Sequence, residues 1–189
     1  MGSPSFAGPS FAGLLLNGLL FAGPLGGAAI GLHALLAGRA EGFAPFVARW
    51  RGPAARVDLA PEVAACCSAA IDLSDGFAQD VQHLARASGV AIEVALDQLP
   101  TLPGHADAAV QLGLDALAIA LSGGEDYELC ATAREGLSAS RWTEVGTVVE
   151  GEGLWVVAGG VRSRWTHGGG WDHFSEAGVT SRRRAPPRT

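Results

Sequence analysis

Short segments with helical spacing of apolar residues and short segments with strand-like alternation follow one another along this chain in no regular order. Helical spacing runs over 26–38, through Ala29, Leu32, Leu35 and Leu36, and stops at Gly38. Residues 43–50 read as a second short helix, broken by Arg51-Gly52-Pro53, and 62–69 as a small-residue helix after Pro61. Phe77, Val81, Leu84 and Ala85 form the buried stripe of a further helix that ends at Gly89, and 115–121 is helical again. Strand character falls on 70–73, 90–96, 127–132 and 161–166, and 144–149 with 154–158 reads as a hairpin around Gly151–Gly153. A strict strand-helix alternation would predict a doubly wound parallel sheet. This irregular mixture predicts an α+β fold, with helices packed on a mixed β-sheet.

The composition supports a real core: 48% of the 189 residues are hydrophobic and 17% charged. A net charge of −6 argues against nucleic-acid binding, which needs a basic surface to displace counterions. The one basic run, Arg182, Arg183, Arg184 and Arg188, marks 179–189 as a solvated tail. Residues 1–20 read as a low-complexity segment in which Ser-Phe-Ala-Gly occurs twice, leaving 21–178 as one domain. No Asp, Glu, Lys or Arg precedes Arg39, yet Pro9 and Pro24, with Gly13, Asn17 and Gly18, break the run below the ~20 apolar residues of a spanning helix. Membrane insertion is therefore not expected. Three cysteines, Cys66, Cys67 and Cys130, have no zinc spacing and read as free thiols of a reducing cytoplasm.

Three stretches concentrate polar chemistry. Ile71-Asp72-Leu73-Ser74-Asp75-Gly76 puts two carboxylates and a hydroxyl where a strand hands over to a helix. Carboxylates suit magnesium, which keeps several waters and bridges to substrate phosphates, and a helix start favours an anion. The same hexapeptide could instead simply cap the helix through Ser74 or Asp75. Leu121-Ser122-Gly123-Gly124-Glu125-Asp126-Tyr127-Glu128-Leu129 places three acids after a pair of glycines that let the backbone approach a ligand. If Tyr127 and Leu129 face the core, Glu128 faces the other side, where it needs a cation or a donor; a plain acidic turn is the alternative. Gly168-Gly169-Gly170-Trp171-Asp172-His173-Phe174 delivers an indole that could stack on a flat, cationic ring, or could serve as an apolar plug. The remaining histidines, His33, His83, His105 and His167, have no ligand spacing, and no nucleophile–base pair is evident.

These stretches, in this order, resemble the thiamine-monophosphate kinases, of the superfamily that includes aminoimidazole-ribonucleotide synthetase and selenophosphate synthetase. His83-Leu84-Ala85, Ala87-Ser88-Gly89-Val90 and Leu99-Pro100 extend the likeness. So do the glycine-rich junction at 23–32 and the stretch Pro53 to Val57, where Ala55 stands for a second proline. The resemblance covers roughly 21–178. It implies transfer of the γ-phosphoryl of ATP to thiamine monophosphate with Mg2+, in a cytoplasmic protein whose family forms homodimers. It implies further that Asp72 and Asp75 ligate magnesium, that Ser74 touches the nucleotide, and that Glu128 and Trp171 contact the thiamine phosphate. The junction usually reads Gly-Asp in the family, whereas this chain has Gly26-Gly27. Family members also begin with a separate domain carrying further metal-binding aspartates, which this sequence does not contain. The expectation is therefore an isolated chain with little or no activity. The alternative readings are another ATP-dependent enzyme of the superfamily, or a non-catalytic fragment that pairs with a partner carrying that domain.

Overall fold

The computed structural model describes residues 18–133 and 137–166. The chain order is β1 (Gly18–Ala22), α1 (Gly27–Leu36), α2 (Ala44–Arg51), α3 (Ala60–Cys66), β2 (Cys67–Asp72), α4 (Phe77–Ser88) and β3 (Ala91–Ala95). It continues with α5 (His105–Gln111), α6 (Ala116–Ser122), β4 (Leu129–Ala133), β5 (Thr143–Val149), β6 (Gly153–Ala158) and β7 (Val161–Arg164). The seven strands form one sheet in the order β2-β4-β1-β5-β3-β6-β7. Among the described strands only β3 and β6 pair in parallel; the other neighbours are antiparallel. The α+β fold with helices on a mixed sheet is the one expected.

Two expectations need correction. Strands β5 and β6 follow each other in sequence but do not form a hairpin, because β3 lies between them and pairs with both. All three strands are rich in β-branched and small residues, and local pattern cannot rank their partners. Gly18–Leu20, read as the end of a low-complexity segment, instead belong to β1, which is held between β4 and β5. A strand covered on both faces loses the alternation that marks a half-buried one. Helix α5 carried no signal strong enough to be read.

Helix α4 supplies the main cover of one sheet face. Phe77, Ala78, Val81, Leu84 and Ala85 are buried along its stripe, against Leu19, Phe21, Cys130, Ile92 and Leu154 from the sheet. The Phe21 and Phe77 rings meet at 4.9 Å with a tilt of 54°, a geometry aromatic quadrupoles favour. Each fully buried Phe or Leu here contributes about 1.5–3 kcal/mol relative to exposure. Side chains alternate across a strand. Ala22 and Ala131, next to Phe21 and Cys130, therefore face the other way, into a smaller cluster with Leu59 and Trp142. Helices α1 and α2 cross at Gly31, where a Cβ would lie 2.2 Å from the Phe46 carbonyl oxygen. Their contact builds a separate core of Ile30, Ala34, Phe43, Phe46 and Val47. Among the described residues no helix is long and apolar enough to cross a membrane.

Candidate phosphate-handling site

The first two polar stretches meet because β2 and β4 are antiparallel neighbours. Asp72 lies opposite Leu129 and Ile71 opposite Cys130, so the end of one strand adjoins the start of the other. Pairing continues beyond both strands into the turns. Leu73 N–H donates to the Glu128 carbonyl at 2.9 Å, Tyr127 N–H to the Leu73 carbonyl at 2.9 Å, and Glu125 N–H to the Ser74 carbonyl at 2.8 Å. Two glycines make this approach possible. Gly124 has φ +67 and a Cβ there would sit 3.1 Å from the Ser74 oxygen; Gly76 has φ +110 and faces the Ser122 backbone at 3.1 Å.

The two turns, with Leu32 of α1 and Trp50 of α2, enclose a cavity of about 330 Å3 lined by Ser74, Asp75, Ser122, Gly123, Gly124 and Glu125. Glu125 and Tyr127 are the non-glycine residues with positive φ among those described, at 62° and 50°. Such conformations cost on the order of 1 kcal/mol or more and persist only where surroundings impose them. Their effect here is to turn the Glu125 side chain to the surface. The Tyr127 hydroxyl is held above its ordinary titration range, first by a hydrogen bond with Glu125 and further by the charges of Asp72 and Asp75.

Two buried acids hold the frame. Asp126 reaches back to α1 and accepts from Gly26 N–H at 2.6 Å and Ala28 N–H at 3.1 Å. Burial pushes its carboxyl up to about 6, against the opposing pull of those two amides. It supplies the cap that α1 lacks at Gly26, whose own residue type offers none. Asp80, on the otherwise apolar stripe of α4, accepts from Asp75 N–H at 3.1 Å and fixes the Ser74–Gly76 turn. Burial likewise pushes Asp80 up to about 6.

Asp72 is exposed at the end of β2, Ser74 and Asp75 are half-buried, and both Ser74 and Asp75 line the cavity. The N-cap of α4 is Gly76, so neither Ser74 nor Asp75 takes the plain capping position. Glu128 is 2% exposed and clamped between Arg49 and Arg56, the latter at 2.5 Å, which supply the cations an acid on that side needs. Tyr127, expected inward, is exposed, and the positive φ of Tyr127 breaks the alternation on which that expectation rested. The clamp sits over Gly23, where a Cβ would meet the Glu128 carboxyl carbon at 2.2 Å. Trp171 and His173 lie outside the described residues.

Asp80 and Trp50 were not singled out from the sequence, whereas Glu125 and Asp126 were candidates to share in holding magnesium; Glu125 lines the cavity and Asp126 is buried against α1. An acid at the i+3 position from Phe77, on an apolar stripe and in the first turn of a helix, is a signal that could have found Asp80. Among the described residues no group of three or more His, Cys, Asp or Glu side chains converges as a metal cage. Asp72 and Asp75 still suit magnesium, which is commonly held by one or two carboxylates plus substrate phosphates.

No family model matches the chain. A curated relative, the thiamine-monophosphate kinase of Aquifex aeolicus, is 35% identical over 160 residues, 79% of this chain and 49% of that protein. The chain is a partial relative of the thiamine-monophosphate kinases. The kinase of that name from Methanopyrus kandleri is 35% identical over 71% of this chain and 44% of its own length. Among solved structures, AaThiL complexed with AMPPCP and TMP superposes with a TM-score of 0.77 at 33% identity, covering 85% of this chain and 52% of that one. The chain therefore spans about half the length of the thiamine-monophosphate kinases it matches.

Proposed function

We propose that the cleft between the Ser74–Gly76 and Ser122–Glu125 turns handles phosphates in the ATP-dependent phosphorylation of thiamine monophosphate to thiamine diphosphate. The observation that carries this reading is the Glu125 N–H to Ser74 carbonyl bond, which locks the two turns into one wall of a cavity. The family relation supplies the reaction, and the complex of AaThiL with AMPPCP and TMP is consistent with a nucleotide and a thiamine phosphate as ligands.

In this reading Asp72 and Asp75 hold Mg2+, and Ser74 contacts the nucleotide. Bound magnesium would neutralise phosphate charge that the carboxylates alone would repel. The twelve-residue helix α4 begins beside Asp75 and directs the positive end of its dipole to the same place. An acceptor that is already a phosphate anion needs no strong general base, so alignment and charge neutralisation carry the rate. That fits a cavity lined, among the described residues, by carboxylates and hydroxyls and by no histidine.

We assign the acid that contacts the acceptor to Glu125. It lines the cavity and is exposed, whereas Glu128 is spent on two arginines. Glu128 keeps Arg49 and Arg56 in register, and Arg49 also donates to the Asp126 carbonyl at 3.1 Å, so the clamp braces the turn that presents Glu125. Trp171 stays a proposed substrate contact, tested by thiamine monophosphate binding to Trp171→Ala. Free Cys66, Cys67 and Cys130 are consistent with work in the cytoplasm, and a homodimer is the proposed assembly, checked by sedimentation. The function itself is tested by following thiamine diphosphate formation from thiamine monophosphate, ATP and Mg2+. Turnover that disappears in Asp75→Asn supports it. Turnover unaffected by that change, or a wild-type chain that neither turns over nor binds either substrate, would sink it.

A further inference from the structure

The cavity has a wall that the phosphate chemistry does not use. Trp50, near the end of α2, and Leu32 of α1 are its large apolar side chains, and they share the lining with Ser74, Asp75, Ser122, Gly123, Gly124 and Glu125. Trp50 is half-buried, held on a helix whose Phe46 and Val47 are packed into the α1–α2 core. Its charged neighbour Arg49 is turned away, to Glu128 and the Asp126 carbonyl. Among the described residues no basic side chain lines the cavity, and the charged groups that do, Asp75 and Glu125, are acids.

An indole face and two carboxylates share one preference. A neutral flat ring would gain from stacking alone. A cationic heteroaromatic ring gains from the negative face of the indole and from the acids together, and tryptophan is the best aromatic partner for a cation. We propose that Trp50 is a specificity-determining residue that receives the cationic ring of the acceptor. This deepens the function proposed above and rests on it, since thiamine monophosphate carries a thiazolium. Leu32 closes the apolar side, and Glu125, at the lip, places its charge near the ring's positive end.

The test is calorimetric titration of the full chain, Trp50→Leu and Trp50→Phe. Three ligands are needed: thiamine monophosphate, its neutral deaza-ring analogue, and AMPPCP with Mg2+. The wild type should bind the cationic ligand about tenfold more tightly than the neutral analogue. Trp50→Leu should bring that ratio to about one, Trp50→Phe should leave it intermediate, and AMPPCP affinity should change less than about twofold in either. A ratio that survives in Trp50→Leu overturns the inference, as does a parallel loss of AMPPCP and thiamine monophosphate. Should Trp50→Leu fail to fold, Trp50→Phe decides, because a ratio unchanged from wild type there is also contrary. A wild type that binds thiamine monophosphate without preferring its charged ring overturns this inference alone. A wild type that binds no thiamine monophosphate overturns the function reading and this inference with it.

Discussion

Gly124 shows how a single backbone position controls the site. It sits at φ +67 with a would-be Cβ 3.1 Å from the Ser74 carbonyl oxygen. Gly124→Ala therefore pays for a left-handed conformation and pushes the two turns apart, at a combined cost of about 1–3 kcal/mol. The expected result is a lower denaturation midpoint together with weaker binding of Mg2+ and AMPPCP. Glu128 makes a different prediction. Removing one member of a buried ion pair costs about 3–5 kcal/mol, and less here because each arginine keeps about a fifth of its side chain in water. Glu128→Gln should lower stability by roughly 2 kcal/mol, read by chemical denaturation. A Glu128→Gln protein of unchanged stability that has lost thiamine monophosphate would instead restore Glu128 as a ligand. The turn that carries Asp72, Ser74 and Asp75 was legible as a strand-to-helix junction, because an apolar strand end runs through Ser-Asp-Gly into a helical stripe. The pairing of Glu128 and the exposure of Glu125 were not, because they depend on two arginines more than 70 positions away in sequence and on backbone angles that no residue type announces.

Close contacts between elements give a second set of outcomes. In an exposed helix Gly→Ala usually stabilises by up to ~1 kcal/mol. At Gly31 the sign should reverse, because the added methyl would meet the Phe46 carbonyl oxygen at 2.2 Å and force α1 away from α2. Gly31→Ala should destabilise by about 1–3 kcal/mol, as overpacked cores do. Since Trp50 rides on α2, the same change should also weaken thiamine monophosphate. Thermal unfolding and titration of one variant check both effects. The helices α1, α2, α4 and α6 were legible from apolar spacing and glycine stops, within a residue or two. The pairing β5-β3-β6 was not, because a parallel partner separated by more than 50 residues leaves no local mark. Strand β1 was hidden by its position between two neighbours.

Over the whole molecule, the buried acids Asp80 and Asp126 oppose the usual trend with pH. A carboxyl near 6 in the folded chain and near 3.8 when unfolded takes up protons more readily in the fold. Its contribution is therefore full below the unfolded value and fades as pH rises through 6. Relative to Asp126→Asn, the wild type should lose stability between pH 4 and 7, by as much as about 3 kcal/mol, seen in denaturant midpoints. Both acids brace the turns around the cavity, so this cost is tied to holding the site. If the two turns form one cation-assisted phosphate site, nucleotide binding must depend on the metal, and calorimetry of AMPPCP binding with and without Mg2+ tests that directly. Binding that requires Mg2+ in the wild type and falls at least about tenfold in an otherwise stable Asp75→Asn is the result predicted. Binding that is indifferent to Mg2+, or to the loss of the Asp75 charge, would contradict it.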